Sequence, residues 1–97
     1  MKNEDNFLDT IHSMASRIND FQKLQYKQSL EEVHQIIENK IEDRHRIETC
    51  LDTLLELAVF SNGLDLFKTL LRYTFIFDKE LTADYIYSYR ELSSENQ

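Results

Sequence analysis

Two Glu-x-x-His pairs, Glu31 with His34 and Glu42 with His45, have the spacing in this chain that could best serve chemistry. A separation of three residues places a carboxylate and an imidazole on one face of a helix, as in helical bundles that bind two metal ions. The pairs start 11 residues apart, which on one helix separates them by about 16 Å along the axis. That distance is too large for a shared metal centre. We therefore expect a solvated charged face here and no metal site.

Cys50 is the only cysteine of the chain. A catalytic thiolate needs a basic or helix-N-terminal setting and partial exposure, whereas Cys50 lies in the most apolar stretch and His45 is not suitably spaced to activate it. We expect a buried structural cysteine. A single cysteine allows no intramolecular disulfide, which fits a reducing compartment.

Motifs of other enzyme classes are also missing from the sequence. It contains no glycine-rich phosphate loop and no nucleophile elbow, and its single glycine leaves few points where the backbone could approach a ligand closely. We expect no enzymatic activity, no catalytic residue and no cofactor.

A helix-turn-helix centred on Asn62-Gly63, over Leu57–Thr74, is the candidate for nucleic-acid binding. Its second helix would offer a groove only a few polar side chains, namely Asp65, Lys68, Thr69 and Arg72. The chain carries 11 basic and 18 acidic residues, a net charge of −7, which opposes approach to a phosphate backbone unless the basic residues cluster. They are spread along the sequence and mixed with acidic residues, so we expect no basic cluster. We expect no nucleic-acid partner, and keep a helix-turn-helix regulator as the alternative that a continuous basic surface would support.

The elements that position these residues are predicted to be helices. The chain has one glycine and no proline, against averages of about 7% and 5%. Tight hairpin turns usually require glycine, so a many-stranded protein is disfavoured. We predict an all-α fold, a small bundle of four to five helices.

The most apolar stretch, Ile47–Phe77, is predicted to form the core. We expect a single domain over residues 1–97, because that length is near the usual domain size. Within it, residues 6–46 would form a charged helical hairpin or arm, residues 47–92 the apolar core, and residues 93–97 a disordered polar tail.

Helix boundaries in the first half are open to two interpretations. Ser29 and Glu32 match a capping box, which predicts a helix start at Ser29. The apolar rhythm then continues to Ser61, which as one helix would be roughly 48 Å long. We favour a break near Asn39–Ile41 with Asp43 as the cap of the next helix.

The second half contains one clear stop and one ambiguous segment. Asn62-Gly63 is the best stop signal, and we expect Gly63 to adopt the left-handed conformation after a helix end. Residues 73–89 alternate like a β-hairpin, but they also carry helical spacing without a glycine turn. We favour a last helix near 79–92.

The clearest interaction signal is a stripe of apolar residues at alternating spacings of four and three near the N-terminus. It is narrow, as in helices that pair with one neighbour, and it consists of Phe7, Ile11, Met14, Ile18 and Phe21. We call this stripe the N-terminal seam. Tyr87 and Arg90 form a second candidate interface, since Tyr and Arg are enriched at protein contacts.

Together these features predict a small acidic protein-binding module that regulates or inhibits a protein partner of unknown identity. We expect a homodimer formed through the N-terminal seam. Size and composition resemble those of phage or mobile-element products that act on host proteins, which is an analogy only.

No stretch approaches the ~20 apolar residues of a membrane span, and the first residues lack the apolar run of a signal peptide. We therefore expect a cytoplasmic protein without a membrane partner. A metal-binding bundle is the weaker alternative.

Overall fold

The computed structural model describes residues 2–95, and the side chains of residues 8–14 and 16–95. These residues form four helices and no strand: α1 Lys2–Glu38, α2 Arg44–Phe60, α3 Leu64–Phe75 and α4 Lys79–Glu95. The predicted all-α bundle is confirmed.

Helix α1 runs without interruption through the position where a new helix was predicted to start. Ser29 is buried in the middle of α1 rather than capping its beginning. Glu32 does not reach back to a cap, because its carboxylate accepts hydrogen bonds from the Arg46 guanidinium of α2, at 3.1 Å from Nε and 2.6 Å from Nη2. The capping-box interpretation is wrong, since a tertiary partner takes the side chain that the local motif requires.

Helix α1 ends in a Schellman motif around Lys40. The Ile41 N–H donates to the Ile36 carbonyl at 2.9 Å, and the Lys40 N–H donates to the Ile37 carbonyl at 3.2 Å. Lys40 has a φ of 52°, the left-handed conformation that glycine usually supplies. The Tyr73 hydroxyl of α3 donates to the Ile41 carbonyl at 2.6 Å and ties this turn to the body.

Helix α2 begins where predicted. The Asp43 side chain accepts hydrogen bonds from the N–H groups of His45 and Arg46, so Asp43 is the N-cap. The predicted break near Asn39–Ile41 is therefore confirmed.

The only glycine of the chain, Gly63, lies in the turn between α2 and α3 as predicted. The reason why this position requires glycine differs from the predicted one. Gly63 has a φ of −91°, so the expected left-handed conformation is wrong. Its N–H donates to the Leu57 carbonyl at 3.1 Å, and a Cβ at Gly63 would lie 2.5 Å from the Leu57 Cβ. Glycine is needed here because the turn passes too close to α2 for a side chain.

The segment that could have formed a hairpin is helical. Helix α3 ends at Phe75, and α4 starts at Lys79 with the Asp78 carboxylate accepting from the Leu81 N–H at 3.0 Å. Helix α4 extends to Glu95, beyond the predicted end at residue 92. Of the predicted tail, residues 96 and 97 lie outside the described residues.

The core lies where α2 and α3 pack against each other, with the C-terminal part of α1 and the helix α4 completing the bundle. Its largest fully buried side chains come from the first three helices and include Val33, Ile36, Ile47, Leu51, Leu54, Phe67 and Leu70. The long α1 makes the molecule elongated, with dimensions of 61 × 30 × 19 Å and a radius of gyration of 17.0 Å, against about 13 Å for a compact domain of this length. No helix among residues 2–95 combines the length and apolar character needed to cross a bilayer.

Candidate protein-binding surfaces

The N-terminal seam lies exposed on the part of α1 that projects from the body. We call residues 2–24 the N-terminal arm. Ile18 and Phe21 are 59% and 60% exposed, and Ile11 and Met14 are also exposed. The side chain of the fifth seam residue, Phe7, lies outside the described residues. Four large apolar side chains are thus left in water on one helix.

The seam continues the side of α1 that is buried in the body. Ile18 and Ile36 are five turns apart at 100° per residue, so they point to the same side, and Ile36 is fully buried. The body ends beside the arm, where Ser61 and Asn62 lie next to Asn19 and Gln22. N-terminal to that point, the described side chains of the stripe, Ile11, Met14 and Ile18, are exposed, and no other helix within residues 2–95 covers them.

Two leucines that were not predicted as site residues widen the seam. Leu8 and Leu24 flank it and are both exposed. A helical wheel shows this from the sequence alone, because the residues next to an a/d stripe also contact a paired helix. The exposed apolar surface is therefore broader than the five-residue stripe.

The second predicted pair lies on a different surface. Tyr87 is on α4 and is 66% exposed. Arg90, also on α4, lines a groove between α3 and α4. The structure does not bring Tyr87 and Arg90 together with the seam, so the chain carries two separate candidate surfaces.

The groove between α3 and α4 has a volume of about 460 Å³, within the usual range of ligand pockets. Its floor is apolar, and its rim carries three basic residues, Lys68, Arg72 and Arg90. From the sequence, Lys68 and Arg72 were candidate groove contacts of a helix-turn-helix, and the basic residues were expected to be spread out among acidic ones. That expectation is wrong for this groove, which brings three basic residues together. The position of Lys68 and Arg72 beside Arg90 depends on how α3 and α4 pack, which the residue types do not reveal.

The Glu-x-x-His pairs do not meet. Glu31 and His34 are exposed on α1. In the second pair, Glu42 lies in the turn before α2, and only its partner His45 is on that helix. His34 Nδ1 lies 3.9 Å from Glu38 Oε1, one turn along α1. Among the described residues, no group of three or more His, Cys, Asp or Glu side chains could hold a metal ion.

The Cys50 side chain is buried in α2, as predicted. Burial raises the pKa of its thiol to about 11, and the nearby Glu32 carboxylate acts in the same direction. The thiolate is therefore scarce at neutral pH, and this environment is that of a structural cysteine.

Two polar contacts hold the helices in register. The hydrogen bonds from Arg46 lower the pKa of Glu32 against the opposing effect of burial. On α4, the Tyr85 hydroxyl donates to Asp52 Oδ1 of α2 at 2.5 Å. Burial, followed by this hydrogen bond, raises the pKa of Tyr85. Both contacts join neighbouring helices of the bundle and leave the exposed surfaces free.

Comparisons of the chain with protein-family models, curated proteins and solved structures give no match. The functional interpretation therefore depends on the two exposed surfaces.

Proposed function

We propose that this protein is a small acidic protein-binding module that forms a homodimer through its N-terminal arm. The supporting observation is the row of exposed apolar side chains on the part of α1 that projects beyond the other helices. Large exposed apolar patches mark interaction sites in soluble proteins, and the alternating spacing of the seam is that of paired helices.

A second copy of the chain is the natural partner for this seam. In a symmetric dimer the same surface is used twice, so the apolar side chains of one seam are covered by those of the seam on the other copy. Because the seam continues the buried side of α1, a helix packed against the arm would lengthen the existing helical bundle. Acting by binding, such a module would regulate or inhibit a partner protein.

Charge works against this association. Each copy carries a net charge of −7, so two copies repel each other at low ionic strength. The seam side chains are uncharged, so burying them is favourable in free energy at any salt concentration. The described ones are Ile11, Met14, Ile18 and Phe21. We therefore expect dimerisation to strengthen as salt is added, the opposite of an association driven by ion pairs.

The test is sedimentation equilibrium of the wild type and of Ile18→Asp. Burying a large aliphatic side chain contributes about 1.5–3 kcal/mol. Ile18 is 59% exposed in the monomer, so its loss from both copies costs about 2–4 kcal/mol in total. The dissociation constant should rise by about 30-fold or more.

The matched control is Ser16→Asp, which adds the same charge on the opposite side of the arm. Ser16 lies two residues from Ile18, about 200° around the helix, and is exposed. This variant should dimerise nearly as well as the wild type. A monomeric wild type at millimolar concentration, or equal effects of the two variants, would contradict the proposal.

A further inference from the structure

We propose that the groove between α3 and α4 binds an acidic amphipathic helix of a partner protein. This surface shares no residue with the N-terminal seam, so the inference does not depend on dimerisation through the arm.

The shape and floor of the groove suit a helix. It lies between two neighbouring helices, and its apolar lining includes Phe67, Leu71 and Ile86. Phe75 at one end is 51% exposed and Ile86 is 39% exposed, so this lining is open to a partner. An amphipathic helix binds such a groove through apolar anchors spaced three and four residues apart.

The length of the groove also agrees with a helical ligand. Its lining runs along α3 from Leu64 to Phe75, and α3 has 12 residues. That corresponds to about 17 Å, enough for three turns of a bound helix. Three turns provide the anchor pattern i, i+3, i+4 and i+7.

The charge of the rim selects an acidic partner. Lys68 and Arg72 line the α3 side and Arg90 lines the α4 side, and no Asp or Glu lines the groove among the described residues. This contrasts with the whole chain, in which acidic residues outnumber basic ones by 18 to 11. Within the part of the chain that the structure describes, none of these three cations forms an ion pair.

Nearby residues strengthen this local charge. Lys79 lies 5.4 Å from the ring centroid of Phe75 and adds a fourth cation at one end of the groove. The α4 residues Asp84 and Glu91 lie about 200° and 140° around the helix from Ile86, so they face away. Asp65 does not line the groove, but it lies two turns before Arg72 and about 20° from it around α3. It is therefore the acidic residue on this side that offsets part of the rim's positive charge. Acidic residues on both flanks of a bound helix would therefore meet cations from both rims.

The binding test uses a synthetic 15-residue helical peptide with leucine at the anchor positions and glutamate on both flanks. A second peptide, with lysine in place of glutamate, is the matched comparison. Fluorescence anisotropy should show saturable one-to-one binding of the glutamate peptide that weakens with added salt, and at least about tenfold weaker binding of the lysine peptide.

Two variants assign the site. Arg72→Glu changes an exposed rim residue and should weaken binding of the glutamate peptide by about tenfold or more. Lys23→Glu makes the same change of charge on the arm and should leave binding within about twofold of the wild type. Circular dichroism of both variants checks that the helical fold is kept.

Ile18→Asp separates this proposal from the proposed dimer. It should bind the glutamate peptide as tightly as the wild type, whatever its oligomeric state. Absence of binding, equal binding of the two peptides, or equal binding by Arg72→Glu would overturn the proposal. So would sedimentation showing that Arg72→Glu, but not Ile18→Asp, dissociates a dimer, because a second copy would then occupy the groove.

Discussion

Replacing the only glycine with alanine tests how tightly the α2–α3 turn packs on α2. A Cβ at Gly63 would lie 2.5 Å from the Leu57 Cβ, 3.1 Å from the Leu57 carbonyl carbon and 3.3 Å from the Ala58 nitrogen. Two of these atoms belong to the backbone, so no change of rotamer relieves the clash. The turn itself would have to move away from α2.

The expected loss of stability follows from two opposing effects. Overpacking at a close contact costs about 1–3 kcal/mol, whereas replacing glycine by alanine restricts the unfolded chain and returns about 0.4–1 kcal/mol. Gly63→Ala should therefore destabilise the protein by about 1–2 kcal/mol. For a domain of this size that lowers the melting temperature by about 4–16 °C.

Urea unfolding and thermal melts, monitored by circular dichroism, measure this change. Asn62→Ala, at the neighbouring exposed position, is the control and should change the free energy of unfolding by less than about 0.5 kcal/mol. Gly63→Asn distinguishes the two reasons for glycine, because asparagine tolerates the left-handed conformation but also carries a Cβ. The close approach predicts that asparagine is at least as harmful as alanine. An alanine variant as stable as the wild type, or an asparagine variant close to it, would refute the reasoning.

Two further predictions concern the junction between α1 and α2. Lys40→Gly should raise the free energy of unfolding by about 0.5–1 kcal/mol in urea titrations, because glycine adopts the left-handed conformation without the cost to a residue that has a Cβ; an unchanged or lower midpoint would contradict this. The hydrogen bonds from Arg46 hold the folded-state pKa of Glu32 below its ordinary value of 4.5. The contribution of Glu32 to the free energy of unfolding is therefore present above pH 4.5 and is lost as the pH falls through the folded-state pKa. Glu32→Gln should therefore be less stable than the wild type at pH 7, and the difference should shrink at pH 3; a constant difference would argue against the ion pair.

Features that depend on residues close in the chain were predictable. The shortage of glycine and proline indicated helices, and Asp43 caps α2 because the carboxylate and the N–H groups it accepts from are three residues apart or fewer. The narrow spacing of the seam indicated a helix that pairs with one neighbour, in the same chain or in another. The exposure of Ile18 shows that the body of this chain does not cover it.

Features that depend on tertiary packing were not predictable. Ser29 and Glu32 have the residue types of a capping box, but Arg46, 14 residues beyond Glu32, takes the carboxylate. Gly63 was expected to supply a positive φ, whereas its role follows from the approach of the turn to Leu57.

The α3–α4 groove shows the same limit. Arg90 was singled out from its residue type and its tyrosine neighbour, but Lys68 and Arg72 joined it only once α3 and α4 were placed side by side. Helical periodicity fixes which residues share one helix face. It does not fix which face of the next helix they meet.

Hydrogen–deuterium exchange at two protein concentrations tests most directly whether the arm is the dimer interface. An exposed, unpartnered helix opens readily, so its amides exchange fast in the monomer. The two protein concentrations are about 5 µM and about 1 mM, which bracket moderate and weak dissociation constants. At the higher concentration the amides of residues 8–24 should become protected, while the exchange of α4 amides should remain unchanged. Equal exchange of the arm at both concentrations, or new protection confined to α3 and α4, would contradict the account.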